Sequence, residues 1–189
     1  MLINLKERKK IFIFLDRFIN NSIEQIIKYK NISIIYRNYE SSDEEEFKKI
    51  FKISKKKNIS LFVAYNELLI KKYSIDGFYI PSFVKKKIYV NKKILLIGSA
   101  HNYLEIYQKL KQGCKIIFLS PIFSNKNNKN LGFVKYNLIT RNFNTLFCAL
   151  GGINSLNIRK IYLTKSIGVS GIRVINHLKF INNFVNLNR

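Results

Sequence analysis

Eight short, nearly unbroken apolar runs recur along this chain, at residues 11–15, 32–36, 61–65, 77–80, 94–97, 116–119, 146–150 and 169–175, and they restrict the fold more than any other feature. A strand with one wet face alternates apolar and polar residues, whereas a strand covered on both faces is apolar throughout, as in a parallel sheet. Parallel strands need crossovers, and the segments between the runs carry helix signals. Ser22-x-x-Gln25 has the capping-box form, with Ile23, Ile26 and Ile27 making one face behind it. Ser42-x-x-Glu45 repeats the device, with acids from Asp43 to Glu46 at the positive end of the helix dipole and Phe47, Ile50 and Phe51 spaced for burial. Tyr103, Ile106, Tyr107 and Leu110 share a helical face ahead of Gly113, a left-handed stop, and Ile158, Ile161 and Tyr162 do the same after Ser155.

Eight such units predict a closed α/β barrel, a compact (β/α)8 barrel of the TIM type, folded as a single domain over residues 1–189. A doubly wound open sheet is the alternative. Spread over eight units, 189 residues leave about 24 for each, against roughly 31 in a barrel of about 250. The helices are therefore expected to be short or reduced, and the stretch 82–93, with Lys85, Lys86 and Lys87, is the weakest of them.

A chain that is 47% hydrophobic and 14% aromatic can bury a core, which excludes disorder, and 8 Gly with 2 Pro exclude a collagen-like repeat. No apolar run nears the roughly 20 residues of a membrane span, and the basic first ten residues lead into no signal-peptide core or cleavage site. These features predict a soluble, cytoplasmic protein with no membrane partner. The formal net charge of +23 raises nucleic acid or another polyanion as a partner. However, Lys, Asn and Ile share A/T-rich codons, and the basic residues are scattered without a zinc-finger, RNA-recognition or basic-zipper pattern. Genome composition explains the bias better than nucleic-acid binding does, and a charged cleft for a phosphorylated small molecule fits it too. Cys114 and Cys148, with no Cys-x-x-Cys, read as reduced core residues and not as disulfide or zinc partners. Nothing in the sequence sets the oligomeric state.

In a barrel of this kind the ligand sits at the C-terminal strand ends. After the seventh run, Leu150-Gly151-Gly152-Ile153-Asn154-Ser155 puts two glycines ahead of a helix start, where exposed N–H groups attract an anion. Gly-Gly also makes an ordinary tight turn. The eighth run continues through Gly171-Ile172-Arg173-Val174-Ile175-Asn176, whose last two amides can close the far side of the same cup. Two glycine-led ends favour a phosphate cup made of Gly151, Gly152, Ile175 and Asn176. Arg173 reaches that phosphate if it points inward and snorkels to solvent if it points outward. His177 reads as a surface residue.

Taken in order, Ile97-Gly98-Ser99-Ala100-His101-Asn102, Ser120-Pro121-Ile122-Phe123, Leu131-Gly132, Ala149-Leu150-Gly151-Gly152-Ile153 and Gly168-Val169-Ser170-Gly171-Ile172 resemble the thiamine phosphate synthases and their relatives, the TenI-like thiazole tautomerases. Thinner matches precede them at Ile13-Phe14-Leu15-Asp16, Tyr36-Arg37, Val63-Ala64-Tyr65-Asn66 and Asp76-Gly77-Phe78-Tyr79. The resemblance implies a transferase of thiamine biosynthesis that joins a hydroxymethylpyrimidine pyrophosphate to a thiazole phosphate. Pyrophosphate leaves the pyrimidine methylene, and the thiazole nitrogen attacks the resulting cation. On this reading Arg37, Ser99 and His101 are the catalytic candidates, the cup holds the substrate phosphate, and Asn66 and Lys126 are further ligand-binding candidates.

The sequence also departs from that family. Ile35-Tyr36-Arg37-Asn38-Tyr39 keeps the family's arginine but loses the amide and ammonium beside it. Tyr65-Asn66 replaces an Asn-Asp pair, Ile80-Pro81-Ser82-Phe83 lacks an expected aspartate, and Asn125-Lys126-Asn127-Asn128-Lys129 replaces a threonine-bearing loop. Magnesium is the cofactor the resemblance implies, yet its carboxylate ligands are not recognisable, and no other metal is expected. The pyrophosphate half is eroded and the thiazole-phosphate half kept. A thiazole tautomerase is therefore the second enzymatic expectation, with His101 moving the proton, a task that suits histidine as a residue type, unless it merely caps the following helix. A non-catalytic barrel that binds a phosphorylated ligand is the third.

Overall fold

The structure, a computed structural model, describes residues 9–39, 43–89, 94–123 and 130–171. Eight strands, β1 (Lys10–Leu15), β2 (Ile32–Tyr36), β3 (Ser60–Ala64), β4 (Gly77–Ile80), β5 (Leu95–Ala100), β6 (Ile116–Leu119), β7 (Leu146–Leu150) and β8 (Gly168–Gly171), pair in parallel and in chain order. β8 pairs back onto β1, so the sheet is a closed barrel and not an open doubly wound one. The crossovers hold α1 (Asn20–Ile26), α2 (Glu44–Lys56), α3 (Glu67–Lys72), α4 (Tyr103–Lys111), α5 (Gly132–Thr140) and a 3₁₀ helix, Ile158–Leu163. Their shortness follows from the small length available to each unit.

Register decides what fills the ring. Phe12 lies opposite Ser33 and Ser170, Phe14 opposite Ile35, Ile35 opposite Phe62, Ala64 opposite Tyr79, and Phe118 opposite Ser99 and Cys148. Side chains alternate along a strand, so this set faces inward while Ile11, Ile13, Ile34, Val63 and Ile117 face the helices. The inner set is aromatic: Phe12 and Phe118 meet edge-on at 5.0 Å, Phe14 and Tyr79 at 5.2 Å, and Tyr79 and Phe118 at 5.8 Å. Burying each such ring contributes about 1.5–3 kcal/mol. Gly77 leaves the space that this filling needs, since a Cβ there would stand 2.5 Å from the Phe62 ring.

Three helix details differ from expectation. Ser22 does not cap α1, which starts two residues earlier behind Ile19 with no side-chain cap, although Ile23 and Ile26 are buried as the spacing required. Asp43 caps α2, accepting from the Glu45 and Glu46 amides, while Ser42 lies outside the described residues. On α4, Tyr103 and Tyr107 are exposed, and the buried positions are Ile106 and Lys109. Of the expected face of Tyr103, Ile106, Tyr107 and Leu110, Ile106 is buried and neither tyrosine is, and a lysine stem fills the inner side beside it. Residues 81–89, after β4, carry no helix. Cys114 and Cys148 are buried free thiols. Among the described residues no helix is long and apolar enough to cross a membrane.

Candidate active site at the barrel mouth

Because all eight strands run the same way, their C-terminal ends share one rim, and that rim collects the candidates on described residues. Arg37 follows β2, Asn66 follows β3, Ser99 lies near the end of β5 with His101 just beyond it, and Gly151 and Gly152 follow β7. Lys126, Ile175 and Asn176, with Arg173 and His177, lie outside the described residues. Half of the expected phosphate cup is therefore described.

On the β1–β2 side, Asp16 grips Arg37 in a two-point pair, Nε to Oδ1 at 2.8 Å and Nη2 to Oδ2 at 3.0 Å. The guanidinium also lies 5.3 Å from the centre of the Phe14 ring, the apolar floor of the mouth. Burial opposes its charge, but the Asp16 pair outweighs burial and holds the Arg37 pKa above its ordinary value. A cavity of about 640 Å³ opens here, with Asp16, Arg37, Tyr39 and Glu46 in its wall. A cavity of similar volume, about 660 Å³, lies outside the barrel between α5 and the 3₁₀ helix, against Leu138 and Tyr162, away from the strand ends. Tyr79, facing inward beneath Arg37, shares a hydrogen bond with Ser99, and burial drives its phenol pKa well up, so it stays neutral. Ser99 is thus committed to the floor of the mouth.

On the opposite side, His101 Nδ1 stands 2.9 Å from the Ser120 carbonyl and 3.2 Å from Ser120 Oγ. A carbonyl only accepts, so Nδ1 is the donor, and in the neutral ring Nε2 holds the lone pair. His101 does not cap α4: Asn102 does, accepting from the Glu105 amide, while Glu105 reaches back to the His101 N–H. Asn66 likewise caps α3, its Oδ1 accepting from the Leu69 amide.

Ser120 leads into Pro121 by a cis peptide bond, and Pro121 lies under Gly151, where a Cβ would come within 2.9 Å of it. Gly151 and Gly152 both have positive φ, 90° and 69°, which favours glycine at each. Their carbonyls are spoken for: Gly151 O accepts from the Phe123 amide and Gly152 O from Asn157 Nδ2. Among the described residues neither glycine N–H finds an acceptor. The turn therefore presents two N–H groups with its carbonyls held back, which is the polarity an anion needs.

A profile of the thiamine monophosphate synthase family matches residues 11–178. The chain belongs to the thiamine monophosphate synthase family. A thiamine-phosphate synthase from Prochlorococcus marinus subsp. pastoris is 32% identical over 169 residues, covering 82% of this chain and 46% of that protein. Another from Prochlorococcus marinus is 29% identical over 168 residues with the same coverage. The chain thus spans about half the length of these curated relatives. The barrel superposes on a thiamine phosphate pyrophosphorylase from Pyrococcus furiosus with a TM-score of 0.79 at 15% identity, covering 95% and 96% of the two chains. It also superposes on one from Bacteroides thetaiotaomicron with a TM-score of 0.67 at 14% identity, covering 96% and 99%. These likenesses fix the fold.

Magnesium, which membership of this family implies, wants several hard oxygen ligands, carboxylates foremost. Asp16 gives both oxygens to Arg37, Asn66 Oδ1 is used as a cap, and among the described residues no three His, Cys, Asp or Glu side chains converge. The described donor set does not fit such an ion.

Sequence reasoning passed over Asp16, Tyr79 and Ser120. Asp16 and Ser120 directly follow an apolar run, and Tyr79 lies one residue inside the end of another. What hid them is that each acts through a partner: Asp16 through Arg37, Tyr79 through Ser99, Ser120 through His101.

Proposed function

We propose that this family member joins a pyrimidine methyl pyrophosphate to a thiazole phosphate at the barrel mouth. The observation that carries this reading is the placement of Arg37 and the amide-presenting Gly151–Gly152 turn on one rim, across an aromatic floor, in a chain of this family. The C–O bond between the methylene and pyrophosphate breaks, and its electron pair leaves with the pyrophosphate. The thiazole nitrogen gives its lone pair to the methylene carbon, forming the C–N bond of a thiazolium.

Arg37 receives the departing anion, because a pyrophosphate outbids the single Asp16 carboxylate for the guanidinium. Phe14 and Tyr79 present ring faces and edges to a planar cation. Gly151 and Gly152 hold the thiazole phosphate, which fixes the nitrogen for attack. The test is coupling of the two substrates, with and without added magnesium, by the wild type and by Arg37→Ala. Thiamine phosphate formed by the wild type and lost in the variant supports the reading; no product above buffer overturns it.

His101 supports a second reading, thiazole tautomerisation. With Nδ1–H held by the Ser120 carbonyl, Nε2 is a neutral base able to take a ring proton and return it at another position. Solvent deuterium entering a thiazole carboxylate phosphate, and failing to do so with His101→Ala, would favour it.

A further inference from the structure

Lys109 has no part in the site described above, yet it is fully buried, a rare place for a lysine. Among the described residues no carboxylate is bonded to it. Its three N–H groups go to the Pro81 carbonyl at 2.6 Å, the Val84 carbonyl at 2.9 Å and Gln112 Oε1 at 3.0 Å. Gln112 adds two bonds from Nε2, to the Val84 carbonyl at 3.1 Å and the Lys86 carbonyl at 2.7 Å. The stem runs over β5 at Gly98, where a Cβ would stand 2.9 Å from Lys109 Cδ.

The backbone carbonyls among these acceptors belong to residues 81–86, within a described stretch, 81–89, that carries no helix. A helix would satisfy them through its own amides; here the Val84 N–H reaches the Pro81 carbonyl in a turn, and Lys109 and Gln112, from the next helix and its cap, supply the other bonds, while Val84 and Ile88 cover the barrel wall. The same stretch carries Phe83, whose ring lies 5.8 Å from Tyr39 and 6.5 Å from Tyr65 at the mouth, and Lys86, whose Nζ lies 5.7 Å from the Tyr65 ring.

We propose that Lys109, with Gln112, is a positioning residue: its buried ammonium replaces the missing helix as the anchor of residues 81–86 and so holds Phe83 as one wall of the mouth. The link to catalysis rests on the function proposed above, whereas the anchoring does not. The groups that face this ammonium are Cys114, Lys85 and Glu105, none of them bonded to it, so the carbonyls are what hold it.

The test uses the full chain at pH 7.5, with Lys109→Met, Gln112→Leu and Phe83→Ala. Trypsin cuts at Lys85, Lys86 and Lys87, mapped by mass spectrometry, should rise about tenfold or more in Lys109→Met and about threefold in Gln112→Leu, and stay at the wild-type rate in Phe83→Ala. In the coupling assay, KM for the pyrimidine pyrophosphate should rise alike in Lys109→Met and Phe83→Ala, with kcat within about twofold of wild type. Unchanged cutting in Lys109→Met overturns the anchor, and faster cutting with an unchanged KM overturns the positioning role. Should Lys109→Met fail to fold, Gln112→Leu decides, and no increase in its cutting overturns the proposal. A wild type without coupling activity defeats the proposed function alone, and the anchor then stands or falls on the trypsin cuts.

Discussion

The Arg37 guanidinium has two claimants, the Asp16 carboxylate that now takes it and any anion entering the mouth. The pair is half-exposed, with side chains 27% and 49% accessible, and such pairs are worth about 0–1 kcal/mol. Asp16→Asn should therefore tighten pyrophosphate binding by about threefold, and Arg37→Ala should weaken it by about tenfold or more. Calorimetry with inorganic pyrophosphate checks both, and equal affinity in all three proteins would remove Arg37 from the site. Gly151 is constrained in another way. A side chain there meets both a positive φ of 90° and the Pro121 ring at 2.9 Å. Gly151→Ala should cost about 1–3 kcal/mol in urea unfolding and lower affinity for a thiazole phosphate. Position after a run was enough to find the two glycines, whereas Arg37 and His101 stood out through the resemblance of their segments to the family. Asp16 was not legible as an Arg37 partner, because 21 residues separate them and only the parallel pairing of β1 with β2 brings them together.

At the scale of elements, the apolar faces were legible and the caps were not. Ile23 and Ile26 turn inward whatever starts α1, because burial of a stripe is worth more than a cap, and so Ser22 could sit inside the helix. In α2 the adjacent Asp43 takes the capping role. Asp43→Ala should cost about 1 kcal/mol, read as a lower urea midpoint at constant slope. α4 shows why a lysine can hide in a core face. Hydropathy places Lys109 outside, but the Pro81 and Val84 carbonyls wait inside because residues 81–89 carry no helix, and Gln112 Oε1 adds a third acceptor, a tertiary fact with no local signature. Burial drives its pKa down to about 8, below the ordinary value near 10.5. Between those values the unfolded chain binds more protons than the folded one, so the lysine's penalty is full below pH 8 and is relieved as pH rises toward 10.5. Wild-type stability relative to Lys109→Met should climb across that window. A flat difference between the two proteins would mean that the ammonium titrates normally.

The whole molecule carries a charge of +23, and its ion pairs among described residues are few: Arg37 with Asp16, Lys48 with Glu44 and Glu45, and Lys72 with Glu44. Closing the barrel brings like charges from every crossover onto one small surface, so self-repulsion opposes folding beyond the reach of any single pair. The screening length shrinks from about 30 Å at 0.01 M salt to about 10 Å at 0.1 M, a range that spans distances across a small domain. Sodium chloride raised from 0.01 to 0.2 M should therefore increase the melting temperature, whereas a protein leaning on exposed ion pairs would lose stability. The same salt series bears on what the charge is for. One thiazole phosphate contacts few cations, so its affinity should fall with a log–log slope of about 2 or less, while a polyanion that neutralises many lysines would give a slope several times steeper. A shallow slope together with a rising melting temperature would make the lysines a burden that this fold tolerates and leave recognition to Arg37 and the glycine turn. A steep slope with a nucleic acid, and none with the phosphate, would move the function from the mouth to the outer surface.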